Sequence, residues 1–143
     1  MTYFEVKVRY SRQAEDGKIQ KVSETFLVNT LTFGDAEVKV LKEIEPLFVN
    51  GEIVSIKKVQ YQELLLDETG ELEGKDTAYY KVKVVFNTID DNGKEAKRPY
   101  FLLVQDTDVE SAHSTVKRHF SKASEDYSID DVLKTKTCDV LNK

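Results

Sequence analysis

Tyr3-Phe4-Glu5-Val6-Lys7-Val8-Arg9-Tyr10 returns 76 positions later as Tyr79-Tyr80-Lys81-Val82-Lys83-Val84-Val85-Phe86. The match runs on without a gap, residues 3–65 against 79–141. Gly17-Lys18 falls on Gly93-Lys94, Leu27-Val28 on Leu103-Val104, Ala36 on Ala112, Val40 on Val116 and Ile53 on Ile129. Self-similarity at a fixed offset constrains the architecture before any local pattern does. The same stretch also gives the element type. Phe4, Val6, Val8 and Tyr10 alternate with Tyr3, Glu5, Lys7 and Arg9, and Tyr80, Val82, Val84 and Phe86 alternate in the second copy. A period of two with β-branched and aromatic residues is a half-buried strand.

Working outward, Asp16-Gly17 and Asn92-Gly93 follow these strands at the repeat offset. Both are hairpin signals, because a tight turn needs a positive φ that Gly and Asn accept. The return strands, 21–29 and 97–105, end in Phe26-Leu27-Val28 and Leu102-Leu103-Val104. These triplets are apolar on both faces, which implies central or covered strands. Pro99 sits near the start of its strand, where a missing N–H is easiest to accommodate.

A helix follows each hairpin. Ala36, Val40, Ile44 and Leu47 or Phe48 form one apolar stripe, and Val109, Ala112, Val116 and Phe120 form the other. Thr32 and Asp108 are the matched N-cap candidates. Asp35, Glu37 and Glu110 suit the positive end of the helix dipole, and Pro46 ends or distorts the first helix. Last strands are expected near 53–65 and 129–141. Each copy therefore reads strand–strand–helix–strand. The expected fold is α+β: a tandem duplication with six strands, two helices and pseudo-twofold symmetry, both helices on one sheet face. The boundaries are 1–66 for the first copy, 67–78 for a linker or loop, and 79–143 for the second copy. A unit of this size buries only about 60% of its unfolded surface, so the two copies are expected to share one compact domain.

The net charge of −5 is unevenly placed. Residues 67–78 carry five acids and one lysine, whereas 1–66 sum to −1 and 79–143 to zero. An overall basic field for nucleic acid is absent. No apolar run is long enough for a bilayer, and the first residues lack the basic and apolar regions of a secretory signal. A cytoplasmic protein without membrane contact is expected. The lone Cys138 excludes an internal disulfide and reads as a small, buried strand residue.

Several stretches carry a family resemblance. They are the opening Tyr3–Tyr10, Lys21-Val22-Ser23-Glu24, Leu27-Val28-Asn29-Thr30-Leu31-Thr32-Phe33 with Ala36-Glu37, and Ile56-Lys57-Lys58. Together they resemble an uncharacterised family, a domain of unknown function, found in gut-associated bacteria and their phages. Asn29 stands where the family pattern has aspartate. The resemblance implies a small bacterial or phage protein and brings no catalytic residue with it.

Few residue patterns carry chemistry. His113 and His119 are six apart on a predicted helix, the wrong spacing to chelate one metal from one face, and no Cys/His spacing suits zinc. Asp90-Asp91 and Glu15-Asp16 lie in turns, where acids are normally solvated. Glycine loops for phosphate and a G-x-S-x-G elbow are missing from the sequence. No catalytic residue, metal or cofactor is assigned, and the chain is not read as an enzyme. The remaining feature is a cationic stripe with aromatics on the strands: Tyr3, Lys7, Arg9 and Lys58 in the first copy, and Tyr79, Lys81, Lys83 and Lys134 in the second. The plain reading is a soluble outer strand face. The functional reading is a binding module that contacts a protein or a small anionic ligand through that face or a cleft between copies. Two alternatives use other chemistry. One is a single-stranded nucleic-acid binder that stacks bases on Tyr3 and Tyr79. The other is a hydrolase with carboxylates between the copies. The oligomeric state is not legible.

Overall fold

A computed structural model describes residues 2–141. In chain order the elements are β1 (Thr2–Gln13), β2 (Ile19–Thr30), α1 (Phe33–Ile44), β3 (Val49–Val59), β4 (Glu63–Leu65), β5 (Ala78–Ile89), β6 (Glu95–Asp106), α2 (Val109–His119), β7 (Asp126–Lys134) and β8 (Thr137–Val140). The fold is α+β. It divides into two compact units, one formed by residues up to Gln60 together with those from Lys136 onward, the other by Tyr61–Thr135.

In the first unit β1 and β2 form a hairpin whose twelve paired positions run from Thr2 opposite Thr30 to Gln13 opposite Ile19. Gly17, at φ 84°, closes the turn by donating its N–H to the Ala14 carbonyl at 2.9 Å. Asp16 locks the turn by accepting the Lys18 N–H at 2.9 Å. The second unit repeats this arrangement. Gly93 lies at φ 78° and donates to Asp90, whose carboxylate accepts the N–H groups of Asn92 and Lys94. Only a residue without Cβ takes these positive φ values at no steric cost.

Each helix packs on one face of its own hairpin. Phe4, Val6, Val8, Phe26 and Val28 meet Ala36, Val40 and Ile44 of α1. Tyr80, Val82, Val84, Phe86, Leu102 and Val104 meet Ala112 and Val116 of α2. The alternation of β1 and the three- and four-residue spacing of α1 converge on one core for this reason. The helix starts are those expected: Thr32 Oγ1 accepts the Asp35 N–H at 3.1 Å, and Asp108 Oδ1 accepts the Ser111 N–H at 2.7 Å. α1 stops at Ile44, with Glu45 as C-cap just before Pro46.

The strand count corrects the expectation of six strands with both helices on one sheet. Eight strands form two four-stranded sheets, ordered β3-β1-β2-β8 and β4-β6-β5-β7. Each expected last strand is broken in two. β3 ends at Val59 and β7 at Lys134, and both pair antiparallel with the first strand of their hairpin. The pieces that follow change sheets. β4 pairs parallel with β6, Glu63–Leu65 against Leu102–Val104. β8 pairs parallel with β2 at Thr25, Phe26 and Leu27. Both pieces cover the edge beside an apolar triplet that would otherwise present unpaired N–H and C=O groups. At the crossings, Gln62 exchanges hydrogen bonds with Phe101, and Thr135 donates its N–H and its hydroxyl to the Tyr79 carbonyl at 2.9 and 2.7 Å. Cys138, expected to be buried, is exposed on β8, where the pairing with β2 skips it. No helix among the described residues is long and apolar enough to cross a membrane.

Candidate functional site

The strand register places each residue of the expected cationic stripe. Tyr3, Lys7 and Arg9 lie on the face of β1 opposite α1, and Tyr79, Lys81 and Lys83 on the corresponding face of β5, since Phe4, Val6, Tyr80 and Val82 occupy the helix side. Lys58 lies directly across from Phe4, and Lys134 from Tyr80. Paired residues point the same way, so these two lysines belong to the helix side and leave the stripe. Two of the cations that remain face acids: Arg9 is opposite Glu52, and Lys83 opposite Asp131, whereas Lys7 is opposite Ser55. Lys81 is held rather than offered, its Nζ 5.0 Å from the Phe101 ring centroid and 5.6 Å from that of Tyr61. Such contacts stabilise a desolvated ammonium. Tyr79 is buried, at 6% exposure, so its ring has no open face on which a base could stack.

A different arrangement converges in the second unit. Glu63, at the start of β4, accepts from two elements at once. His119 Nε2, at the end of α2, lies 2.9 Å from both carboxylate oxygens, and the Tyr100 hydroxyl on β6 donates to Oε2 at 3.1 Å. Burial raises the Tyr100 pKa, and its bond to Glu63 raises it further, so the phenol keeps its proton and remains a donor. One turn earlier on α2, the Thr115 hydroxyl donates to Asp106 Oδ2 at 2.7 Å, and the Arg118 guanidinium donates to Thr115 Oγ1 at 3.2 Å. Asp106 is 7% exposed, and its other oxygen accepts the Thr107 N–H. Thr115, Arg118 and His119 share a helix face because they are spaced by three and four residues.

These side chains wall an open groove. One part, of about 410 Å³, is floored by Leu64, Leu65 and Leu66 and flanked by Glu68, Thr115, Arg118 and His119. A second part, of about 300 Å³, shares Leu65, Leu66, Glu68, Thr115 and Arg118 and continues to Asp67, Glu71, Leu72 and Asp106. The segment expected to be a solvated linker supplies this second wall. It is tied down where the Asp67 N–H donates to Gln105 Oε1 at 3.0 Å and the Leu72 N–H donates to Asp67 Oδ2 at 3.0 Å.

The groove escapes a local reading of the sequence, because Glu63 and His119 come from distant segments that only the sheet crossing brings together. One signal was present: Glu63 and Asp139 are acids 76 positions apart, each just ahead of an apolar pair. Among the described residues, no three His, Cys, Asp or Glu side chains gather as a metal site. Chemically, the groove offers an apolar floor, a guanidinium, an imidazole braced by a carboxylate, and free acids at its rim.

Residues 2–143 match the family described as a domain of unknown function, DUF4494. The chain belongs to this family. The DUF4494 domain spans both units, so the crossing strands β4 and β8 lie inside one family domain. No protein of curated function matches the sequence.

Proposed function

We propose that this DUF4494 protein is a non-enzymatic binding module that takes its partner in the groove of the second unit. The observation that carries this reading is a leucine floor bordered by polar side chains already fixed by internal bonds: Thr115 to Asp106, Arg118 to Thr115, and His119 to Glu63. Side chains ordered before binding lose little entropy when a partner arrives. The groove is preferred to the strand faces because Arg9 and Lys83 sit opposite acids and Lys81 is covered by rings. Each carboxylate a hydrolase would need, Glu63 and Asp106, is already engaged by two donors, which favours binding over acid–base chemistry.

The proposal extends to origin and setting. The two units share hairpin registers and helix positions at one offset, which supports descent from a duplicated strand–strand–helix–strand ancestor. The resemblance to proteins of gut bacteria and phages supports a cytoplasmic accessory or inhibitor role.

Affinity capture from the native host with the wild type, Leu66→Asp, Arg118→Glu and the strand-face pair Lys7→Glu/Lys83→Glu tests the site. The species captured by the wild type is expected to be lost with either groove variant and kept with the strand-face variant. The reverse pattern, in variants whose melting is unchanged, would return the contact to the sheet face.

A further inference from the structure

We infer that the occupant of the groove is a basic, amphipathic peptide segment of a partner protein rather than an anionic ligand. This inference rests on the groove reading above and adds the chemistry of the partner.

The argument is one of charge and shape. Glu68 and Glu71 are exposed on the wall of the groove, and Asp67 and Asp106 also line it. Against them stand Arg118 and His119, and His119 already faces Glu63 at 2.9 Å. The groove is therefore net acidic. It also lies beside the C-terminal turn of α2, whose carbonyl ends carry partial negative charge. An anion placed here would meet more acids than cations. A lysine or arginine side chain would reach Glu68 and Glu71 without breaking the bonds that hold Asp67 and Asp106.

The floor sets the other half of the specificity. Leu64, Leu65 and Leu66 are half-buried and follow one another along a short extended segment. An open trough of this kind accommodates a run of side chains better than a compact small molecule, which a closed pocket would surround. Apolar residues of the segment would lie on the leucines, and its basic residues would face the loop.

The test uses the full chain, isotope-labelled, titrated with two synthetic twelve-residue peptides of alternating leucine with lysine or leucine with glutamate. The Leu/Lys peptide is expected to shift the amide signals of Leu64, Leu66, Glu68, Thr115 and Arg118. Its affinity should fall at least tenfold in Glu68→Lys/Glu71→Lys and weaken with added salt. The Leu/Glu peptide should leave those signals in place. Tighter binding of the Leu/Glu peptide, or Leu/Lys binding indifferent to the charge reversal, would overturn the basic-partner inference while the groove stands. Failure of both peptides to move any groove amide would overturn it as well. Retention of the captured species by Leu66→Asp overturns the groove reading itself, so the two failures are separable.

Discussion

The two units share a backbone plan and differ in what they show to solvent. Exposed apolar residues are more numerous in the first unit, among them Ile19, Leu31, Val38, Leu47, Val49 and Val54, than in the second, which exposes Ile89, Val109 and Leu133. The positions 76 beyond those first-unit residues hold Glu95, Thr107, Ser114, Ala123, Glu125 and Asp130. The polar contacts diverge in the opposite sense. Where α2 carries Thr115, Arg118 and His119, α1 carries Lys39, Lys42 and Glu43, and its own ion pair is an exposed Lys39–Glu43 contact of 3.5 Å. The aromatic packing differs too. Tyr10 stacks on Phe48 at 3.9 Å in the first unit, whereas Phe86, Tyr100, Phe120 and Tyr127 form a four-ring cluster in the second. The comparison teaches that hairpin register and the helix stripe fix the fold, while the outer helix face and the strand after the helix are free to specialise.

The largest test of that comparison lies in the shared cores. Phe4 and Leu102 are both buried beneath their helices. Phe4→Ala and Leu102→Ala are expected to cost about 3–5 and 2–5 kcal/mol respectively, measured by denaturant unfolding. Near-zero cost at either site would break the claim that both sheet–helix cores carry stability.

A smaller and more discriminating effect concerns the polar contacts. Glu63→Gln weakens two hydrogen bonds to a half-buried carboxylate and should cost about 1–3 kcal/mol. Glu43→Gln, at the α1 position corresponding to His119, loses only an exposed pair and should cost about 0.5 kcal/mol or less. Equal costs would mean that the two helix faces are not specialised.

The mildest difference is silent near neutral pH. The pKa of Tyr10 is raised chiefly by its 2.6 Å bond to Glu24, while burial chiefly raises Tyr80 and Tyr100. A folded-state pKa above the unfolded value favours the protonated phenol. The contribution is therefore complete below about pH 10 and is lost as pH rises through the folded-state values. Stability should fall on the alkaline side of pH 10, and Tyr10→Phe and Tyr100→Phe should each flatten the slope in a pH series of unfolding curves. A slope unchanged in both variants would assign the alkaline loss to other groups.

Much of this was legible from local patterns. Alternation in Phe4–Tyr10, the Asp16-Gly17 and Asn92-Gly93 turns, and the Thr32 and Asp108 caps each act over a few residues, and all appear as read. The breaks near Gln60 and Thr135 were not legible. The apolar character of Ile53–Leu65 continues through the break, and the choice of sheet depends on an edge supplied by a distant hairpin. The stripe was half legible for a related reason. Register, which no single strand encodes, turned Lys58 and Lys134 to the helix side. The groove combines both difficulties, since its walls meet only after the crossing is made.

The crossing also orders events during synthesis. β2 is made well before β8, which covers it beside Phe26-Leu27 and follows every other described element. Until Thr137–Val140 emerge, the β1–β2 hairpin keeps an open flank that a strand of a neighbouring nascent chain could pair with. β8 thus acts as a seal on a hairpin made more than a hundred residues before it, and a chain cut short ahead of Thr137 would keep that flank open to proteases and to self-association.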